Sequence, residues 1–308
     1  FMENFEFFTP TRMIFGKDTH LQVGTIVKEY GFKKVLVHFG GASARKTGLL
    51  DTVLDALKAQ GISCVTLGGV QANPTLSMAR QGIELCLKEE VDFVLAVGGG
   101  SVIDSAKCIA DGAGNPEADV WSYFTQGGAP KKALPVGVIL TLSASGSEMS
   151  ASCVITNEEN GFKRGFNSVT HRPLFAICNP ELTYSVSRFQ TGCGTVDIMM
   201  HTLERYFSPT KDTMLTDRIA EGILKSTVEA GKTADREPDN YEARATLMWA
   251  GSLSHNDITG SRGFGDWACH QLEHELSGMF QVAHGAGLAA IWGSWARYVY
   301  KEQPSRFA

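Results

Sequence analysis

The sequence has few of the features that mark nucleic-acid-binding, membrane or secreted proteins. It carries no long run of one charge, and its net charge of −5 gives neither a basic patch for nucleic acid nor a polybasic patch for an anionic membrane. No stretch approaches the roughly 20 apolar residues of a membrane span, and the first letters, FMENFEFF, lack the basic start and small-residue cleavage site of a signal peptide. We therefore expect a cytoplasmic protein whose partners are small molecules.

Cysteine pairs with a metal-ligand or redox spacing are also missing. The seven cysteines are odd in number, widely scattered and without a CxxC pair. This distribution argues against a disulfide framework and against a cysteine zinc site. It suits the reducing environment of the cytoplasm.

The chain length and the hydrophobic pattern predict two domains. At 308 residues the chain exceeds the usual size of one hydrophobic core. Between residues 12 and 97, short β-branched runs alternate with amphipathic segments, an order that calls for a parallel sheet with helices on both faces. From Phe189 onward the strand signals stop and long helical patterns follow. We predict an α/β domain over residues 1–183 and a helical domain over residues 184–308.

A glycine-rich turn follows the predicted strand Phe93–Val97. The letters GGGSVIDSAK, from Gly98 to Lys107, pass at once from strand to helix. Glycines let the backbone approach a phosphate closely, Ser101 is a good helix cap, and the free amides of a helix start favour an anion. The turn therefore suits a phosphate cradle. It matches neither GxGxxG nor the P-loop, so a plain glycine turn that starts a helix is the alternative.

A second turn, FGGASARKTG, ends an earlier predicted strand. In a dinucleotide-binding domain the end of such a strand often carries an acid that hydrogen-bonds the adenosine ribose and repels a 2′-phosphate. Here Gly40, Gly41 and Ser43 stand with no acid, and the basic residues Arg45 and Lys46 lie close by. The pattern favours NADP over NAD. The alternative is an ordinary loop whose basic residues are solvated.

Hydroxyl side chains crowd the end of the strand predicted at residues 134–141. The hydroxyls of Thr141, Ser145 and Ser147 could hold a phosphate or a ribose, although such residues are equally common in plain turns. A hairpin is predicted next, with its turn at residues 157–161. Lys163 on the second hairpin strand could reach a phosphate, whereas a lysine on a protein surface usually reaches only water.

Three histidines, His270, His274 and His284, lie in the stretch from Trp267 to Trp292. The first two are spaced four apart, so on a helix they share one face. The apolar residues around them predict a mostly buried helix; they are Ala268, Leu272, Leu276, Met279 and Phe280. Neutral imidazoles in such a helix are either hydrogen-bonded core residues or metal ligands, and the pair alone favours the first alternative.

A carboxylate and a further histidine stand earlier in the chain. Asp197 and His201 are four apart amid apolar residues, where a buried carboxylate needs compensation. An arginine partner is one answer, but a divalent cation held by these two residues and the later histidines accounts for all the misplaced polar groups together. One oxygen and three imidazole nitrogens suit Zn or Fe(II). The remaining histidines are predicted to be structural or surface residues: His20, His38, His171 and His255.

In four motifs the chain resembles the iron-containing, or group III, alcohol dehydrogenases, especially their NADPH-dependent butanol dehydrogenase and aldehyde reductase branch. The motifs are GGGSVIDSAK, TLSASGSE, GTVDIMMHTLERY and HQLEHELSGMFQVAHGAGLA. The resemblance implies a Rossmann-like domain of the dehydroquinate synthase type followed by an all-α metal-binding domain. Members of that family continue for several tens of residues beyond the PSRFA at which this chain stops, so we expect a helical domain shortened at its C-terminus.

The resemblance also implies a site. The metal ligands would be Asp197, His201, His270 and His284, with His274 beside the metal and assisting proton transfer. The cofactor pyrophosphate would lie on Gly98, Gly99, Gly100 and Ser101. Other cofactor contacts would come from Gly40, Gly41, Ser43, Asn73, Asp104, Thr141, Leu142, Ser145, Ser147, Lys163 and Leu182.

We therefore expect a homodimeric, NADP(H)-dependent dehydrogenase or reductase acting on a small alcohol or aldehyde with Fe(II) or Zn(II). The metal would polarise the carbonyl oxygen while hydride moves between nicotinamide and carbonyl carbon. Asp197 would anchor the cation and His274 would relay a proton.

Two other functions are considered. A dehydroquinate synthase-like lyase shares the architecture, but it should surround a phosphorylated substrate with basic residues, and residues 254–267 offer only Arg262. A non-catalytic metal- or nucleotide-binding protein is the other alternative.

Overall fold

Eight strands account for the β-structure of the described residues, which are 4–262 and 265–307 in the computed structural model. The side chain of Arg262 lies outside this described part. The strands are β1 (Arg12–Phe15), β2 (Lys34–Gly40), β3 (Ser63–Val70), β4 (Phe93–Gly98), β5 (Val136–Leu140), β6 (Ser152–Asn157), β7 (Phe162–Asn167) and β8 (Phe175–Cys178).

Six strands form one parallel sheet in the order β1-β8-β5-β4-β2-β3. Strands β4 and β5 are buried along their whole length, as expected of strands covered on both faces. Because β5, β4 and β2 are neighbours and run in the same direction, their last residues, Leu140, Gly98 and Gly40, lie along one edge of the sheet. Ligands of such sheets bind at this edge.

The predicted hairpin is present. Strands β6 and β7 pair antiparallel and are joined by residues 158–161, close to the turn expected from the sequence. The predicted α/β fold class is confirmed by the parallel sheet and its helices.

Six helices belong to this α/β part: α1 (Val23–Glu29), α2 (Ser43–Lys46), α3 (Leu49–Ala59), α4 (Leu76–Glu89), α5 (Gly100–Gly114) and α6 (Ser122–Thr125). Helices α4 and α5 pack closely because a glycine of each helix lies against an isoleucine of the other. A Cβ on Gly82 would overlap Ile109, and a Cβ on Gly112 would overlap Ile83. This packing fixes α5, whose first turn follows the glycine-rich segment at the end of β4.

The rest of the chain is helical: α7 (Arg188–Tyr206), α8 (Met214–Arg236), α9 (Tyr241–Ser254), α10 (Ala268–Phe280), α11 (His284–Val299) and α12 (Pro304–Phe307). Ile198 and Leu247 belong to a core shared by α7, α8 and α9. A second cluster joins Met200 of α7 to Cys269 of α10 and Leu288 of α11. Helix α7 therefore packs on both groups, and its side chains are held from several directions.

Backbone contacts divide the chain into two compact units. One comprises Thr9–Leu142 and Ser147–Ser185, and the other comprises residues 1–8, Ser143–Gly146 and the chain from Val186 onward. We call Ser143–Gly146 the serine turn. It belongs with the helices, although in sequence it interrupts the α/β unit. Within the described residues, no helix is both long and apolar enough to cross a membrane.

Helix α8 continues to Arg236 although most of residues 231–240 are polar, so the connection to α9 is short. Ala230, Gly231 and Ala234 are buried on the apolar face of α8, which explains why the helix does not stop at the glycine.

The stretch from Trp267 to Trp292 is two helices with a break at residues 281–283. The buried face of α10 also differs from the expectation. It carries Cys269, His270, Glu273 and Ser277, whereas three of the apolar residues are exposed: Leu272 (55%), Met279 (72%) and Phe280 (65%). Helix α10 thus turns a largely polar face inward, which requires polar partners there.

Candidate metal and cofactor sites

The helix α7 places one carboxylate in a fully enclosed position. It begins at Arg188, where the hydroxyl of Ser187 caps the helix by accepting a hydrogen bond from the amide of Gln190. Two turns further on, Asp197 is buried, and its Oδ1 atom has no hydrogen-bond partner within the described residues. A buried carboxylate oxygen without a partner is costly, so this atom needs compensation.

Three imidazole rings surround this oxygen. Asp197 Oδ1 lies 3.2 Å from Nδ1 of His201, 3.8 Å from Nε2 of His270 and 3.5 Å from Nε2 of His284. Nε2 of His270 is also buried without a hydrogen-bond partner in the described part of the chain. Possible ligand atoms of Asp197, His201 and His270 all lie within 4.8 Å of one another. The cluster could therefore hold a divalent cation that satisfies both orphaned atoms.

The pKa shifts of Asp197 and His201 favour an ionised carboxylate next to a neutral ring. At His270, by contrast, burial lowers the pKa, but Asp197 and Glu204 outweigh it and raise the pKa. Burial raises the pKa of Asp197, but His201, His284 and His270 outweigh it and hold the pKa well below its ordinary value. Burial lowers the pKa of His201 to about 3, against the opposing effect of Asp197. The charged carboxylate and neutral imidazole are the forms that bind metals.

Each ring is oriented through its Nδ1 atom. Nδ1 of His201 donates to the backbone oxygen of Asp197 (2.9 Å), and Nδ1 of His270 donates to Oε1 of Glu204 (2.9 Å). Nδ1 of His284 donates to Oε2 of Glu273. In each ring the proton on Nδ1 leaves the lone pair on Nε2, the arrangement found around metal-binding histidines.

Helices α10 and α11, which carry the later histidines, pack closely through a glycine of α11. A Cβ on Gly287 would lie 2.8 Å from Cγ of Glu273, so glycine in α11 makes room for this carboxylate. Glu273 is fully buried and also accepts a hydrogen bond from the hydroxyl of Ser277. A Cβ on Gly285 would overlap the backbone of Cys193, so α11 begins in direct contact with α7.

His274 lies beside the cluster, as the resemblance implied. Its ring centroid is 6.0 Å from that of His284, and the side chain is half-buried. His270 and His274 therefore do not play equal parts, although both stand on α10.

His255 was expected to be a structural or surface residue, and it lies against a ring of the cluster. Its ring centroid lies 4.1 Å from that of His201, and its Nδ1 donates to the backbone oxygen of Ser145 (2.9 Å). The residue stands just after α9, at a helix end that sequence patterns place poorly.

The other three histidines lie away from the cluster. His38 is buried between the backbone oxygen of Leu67 and the hydroxyl of Ser105, and burial lowers its pKa to about 4. His171 pairs with the buried carboxylate of Asp111 (2.7 Å). His20 is half-buried next to Asn179. Their contacts are structural, as expected.

The predicted phosphate cradle has the geometry of a close backbone approach. A Cβ on Gly98 would overlap Val102, and a Cβ on Gly99 would lie 3.0 Å from Cβ of Leu142. Helix α5 starts at Gly100, followed by Ser101, so its first amides have no acceptor within the helix. An anion at this helix start would be stabilised by those amides and by the helix dipole.

The turn after β2 is open. Gly41 and Ser43 are exposed, as are the basic residues Arg45 and Lys46. A Cβ on Gly40 would make only ordinary contacts, at 3.7 Å or more. A Cβ atom is therefore tolerated at this position.

Two of the other predicted cofactor residues, Asp104 and Ser147, are hydrogen-bonded to each other. Asp104 accepts a hydrogen bond from Ser147 Oγ on one oxygen (2.5 Å) and from the amide of Val154 on the other (3.0 Å). The ammonium group of Lys107, itself buried, donates to the hydroxyl and the backbone oxygen of Ser147 (both 2.8 Å). Asp104 and Lys107 thus fix the chain that follows the serine turn.

The remaining predicted cofactor residues occupy varied settings. Thr141 donates its amide to the backbone oxygen of Gly98, Lys163 is buried on β7, and Leu182 packs on the core of the α/β unit. Asn73 has a left-handed backbone conformation (φ 59°), which asparagine tolerates better than most residues. Whether these residues touch a cofactor stays a prediction.

Sequence reasoning missed Glu204 and Glu273. Each is three residues after a histidine of the cluster on the same helix, so both share a face with it. An acid at this spacing in a buried, histidine-bearing helix was the available signal. The spacing did not reveal the pairs because each glutamate bonds a histidine of another helix: Glu204 of α7 bonds His270 of α10, and Glu273 of α10 bonds His284 of α11.

Two family profiles match the sequence. The profile described as iron-containing alcohol dehydrogenase covers residues 10–180, and the C-terminal profile of the Fe-containing alcohol dehydrogenase family covers residues 191–308.

Individual proteins agree. The chain is 40% identical over 301 residues to NADH-dependent butanol dehydrogenase A of Clostridium acetobutylicum, covering 98% of this chain and 77% of that protein. It is 41% identical over 292 residues to the NADPH-dependent aldehyde reductase YqhD of Escherichia coli, covering 94% and 74%. The crystal structure of NADH-dependent butanol dehydrogenase A of Thermotoga maritima superposes with a TM-score of 0.97 at 41% identity, covering 99% of this chain and 77% of that one.

The resemblance seen in the four sequence motifs is thus confirmed over nearly the whole chain, and the chain belongs to the iron-containing alcohol dehydrogenase family.

Proposed function

We propose that this oxidoreductase transfers hydride between NADP(H) and a small alcohol or aldehyde, in the manner of a butanol dehydrogenase or broad aldehyde reductase. Hydride transfer with a nicotinamide cofactor and a divalent metal is the chemistry of the family. The proposal adds the ligand set, the choice of cofactor and the class of substrate.

The observation that carries the ligand set is the buried, unpartnered Oδ1 of Asp197 among three imidazole rings. We assign the metal to Asp197, His201, His270 and His284. One carboxylate oxygen and three nitrogens suit Fe(II) or Zn(II) better than Mg or Ca, which prefer oxygen ligands throughout. A bound cation of this kind supplies Lewis acidity toward the oxygen of an alcohol or aldehyde.

The chain's own residues prepare this site. Asp197 supplies the one formal negative charge among the proposed ligands, and Glu204 and Glu273 hold the rings of His270 and His284 by their Nδ1 protons. We assign to His274, half-buried next to His284, the transfer of a proton to or from the substrate oxygen. No residue has to form a covalent bond with the substrate.

The preference for NADP(H) rests on the turn after β2. An acid there would repel the 2′-phosphate, and this turn has none, while Arg45 and Lys46 are exposed close by in the sequence. The named relatives divide on this point: the butanol dehydrogenases are NADH-dependent and YqhD is NADPH-dependent. The local chemistry of this chain favours the second group.

The test is an activity assay on the purified full chain. The nicotinamide absorbance of NADPH or NADH is followed with butyraldehyde, using protein freed of metal by a chelator and then supplied with Zn(II) or, without oxygen, Fe(II). We expect turnover that requires the metal and is faster with NADPH at low cofactor concentration.

The same assay separates the alternatives. Metal-dependent binding of NADPH without turnover would favour a non-catalytic protein, and turnover of a phosphorylated sugar acid without net NADPH oxidation would favour the lyase. A cytoplasmic location, a homodimer and the domain limits 1–183 and 184–308 stay predictions. Sedimentation of the purified chain tests the dimer.

A further inference from the structure

His255 connects two parts of the helical unit that sequence reasoning treated separately. Its ring lies against the ring of His201, with centroids 4.1 Å apart and planes inclined by 35°. Its Nδ1 atom donates to the backbone oxygen of Ser145, 2.9 Å away. One imidazole thus touches a proposed metal ligand and the serine turn at the same time.

The serine turn is seated too closely to shift freely. A Cβ on Gly194 of α7 would overlap the backbone oxygen of Ser143. Gly146 has a left-handed conformation (φ +65°), and a Cβ there would lie 2.5 Å from the backbone oxygen of Gly251 and 2.8 Å from Cβ of His255. Glycines on both sides therefore let the turn rest directly on α7 and on the end of α9.

The ring of His201 also lies edge-on to the ring of Trp267, with centroids 5.9 Å apart. Nδ1 of His201 donates to the backbone oxygen of Asp197 on the same helix, a bond that fixes the tautomer but allows the ring to tilt. The contact with the inclined ring of His255 restrains that tilt. Nδ1 of His270 and Nδ1 of His284 are instead held by carboxylates, whereas Nδ1 of His201 bonds a backbone oxygen.

We propose that His255 is a positioning residue that holds the ring of His201 in its ligand orientation and fixes the serine turn, in which Ser145 is a proposed cofactor contact. The inference rests on the proposed function for the metal and cofactor roles of these groups. It assigns His255 no contact with the reacting atoms.

Two substitutions test separately the ring contact with His201 and the hydrogen bond to Ser145. His255→Phe keeps a flat ring against His201 but cannot donate to Ser145. His255→Asn keeps a short donor but removes the ring. His20→Asn is the matched control, because His20 is another half-buried histidine and lies in the α/β unit.

The measurements are metal affinity by competition with a chelator, the visible spectrum of bound Co(II), and NADPH affinity by its fluorescence. We expect H255N to bind Co(II) about two- to tenfold more weakly, with shifted absorption bands. The stabilisation by one contact between two aromatic rings corresponds to about this change in affinity. We expect H255F to bind Co(II) within about twofold of the unaltered protein but NADPH about two- to tenfold more weakly, through loss of one hydrogen bond. H20N should match the unaltered protein in all three.

The outcomes are distinct. Equal Co(II) affinity, Co(II) spectrum and NADPH affinity in both variants and the unaltered protein would overturn the positioning role while leaving the proposed function in place. An unaltered protein that binds neither Co(II) nor NADPH would overturn both. Circular dichroism of the metal-free variants detects a folding defect, and if H255N is unfolded, H255F alone decides through its NADPH affinity.

Discussion

The carboxylate of Glu273, on the buried face of α10, accepts a hydrogen bond from Nδ1 of His284 at the start of α11. The same carboxylate accepts a hydrogen bond from Ser277, and Gly287 leaves the space that it occupies. The orientation of a proposed metal ligand therefore depends on a side chain that is not itself a ligand.

Glu273→Gln should weaken metal binding by about 10- to 100-fold, the usual effect of removing a carboxylate behind a metal-bound histidine. Glutamine keeps the size of the side chain but lacks the charge that makes the ring a stronger donor. Metal affinity is measured by chelator competition. The control is Glu275→Gln, since Glu275 is exposed on the same helix. A metal affinity equal to that of E275Q would contradict this role for Glu273.

His284→Ala should lower the metal content, whereas His274→Ala should leave it unchanged. Loss of His284 should lower metal affinity by more than about 100-fold and abolish turnover, because a ligand should matter more than the residues behind it. Loss of His274 should leave the metal in place and lower kcat by about 100-fold or more, as expected for a proton-transfer residue. Metal analysis after gel filtration, with kinetics on the same samples, makes the comparison.

NADPH binding is the internal control of this pair. It should be nearly unchanged in both variants, because the proposed cofactor residues do not include either histidine. Full metal content in H284A would remove His284 from the ligand set.

Much of the fold and the central cluster could be predicted from the sequence because each rests on local patterns. The parallel sheet follows from β-branched runs that alternate with amphipathic segments, and Asp197 and His201 are noticeable as polar residues among the apolar side chains of residues 196–203. The GGGS turn is visible as an immediate change from strand to helix. Such features require no knowledge of which elements meet in space.

The errors concern contacts between distant elements. The inward face of α10 was misjudged because apolar residues were assumed to be buried, whereas Leu272, Met279 and Phe280 are exposed and Glu273 is enclosed. Partners such as His255 and Ser145, 110 residues apart, leave no periodic signal in the sequence. Only the packing of α7, α9 and the serine turn brings them together.

Gly40→Asp should shift the cofactor preference from NADPH toward NADH. A Cβ atom is tolerated at this position. The new carboxylate should repel the 2′-phosphate and lower NADPH affinity by about tenfold, while NADH should bind as well or better. The neutral control is Gly40→Asn, which has the same shape without the charge. The ratio of kcat/KM for the two cofactors is compared across the three proteins. An unchanged ratio in G40D would remove the argument from this turn.

His38 should make the α/β unit sensitive to mild acid. Its buried ring is neutral, and burial lowers its pKa from 6.5 to about 4. Between these values the unfolded chain binds a proton at His38 that the folded chain does not bind, so the free energy of unfolding falls as the pH falls below 6.5. The contribution should amount to about 2 kcal/mol at about pH 5, and it should cease to grow below the folded pKa.

His38→Asn tests this directly. The variant should be less stable than the unaltered protein at about pH 8, because it loses part of the hydrogen bonding to Leu67 and Ser105, each bond being worth about 1 kcal/mol. The difference should shrink by about 2 kcal/mol at about pH 5, since asparagine does not titrate. Urea unfolding of the metal-free proteins at both pH values gives the four free energies. A stability difference that is the same at both pH values would mean that His38 does not cause the acid sensitivity.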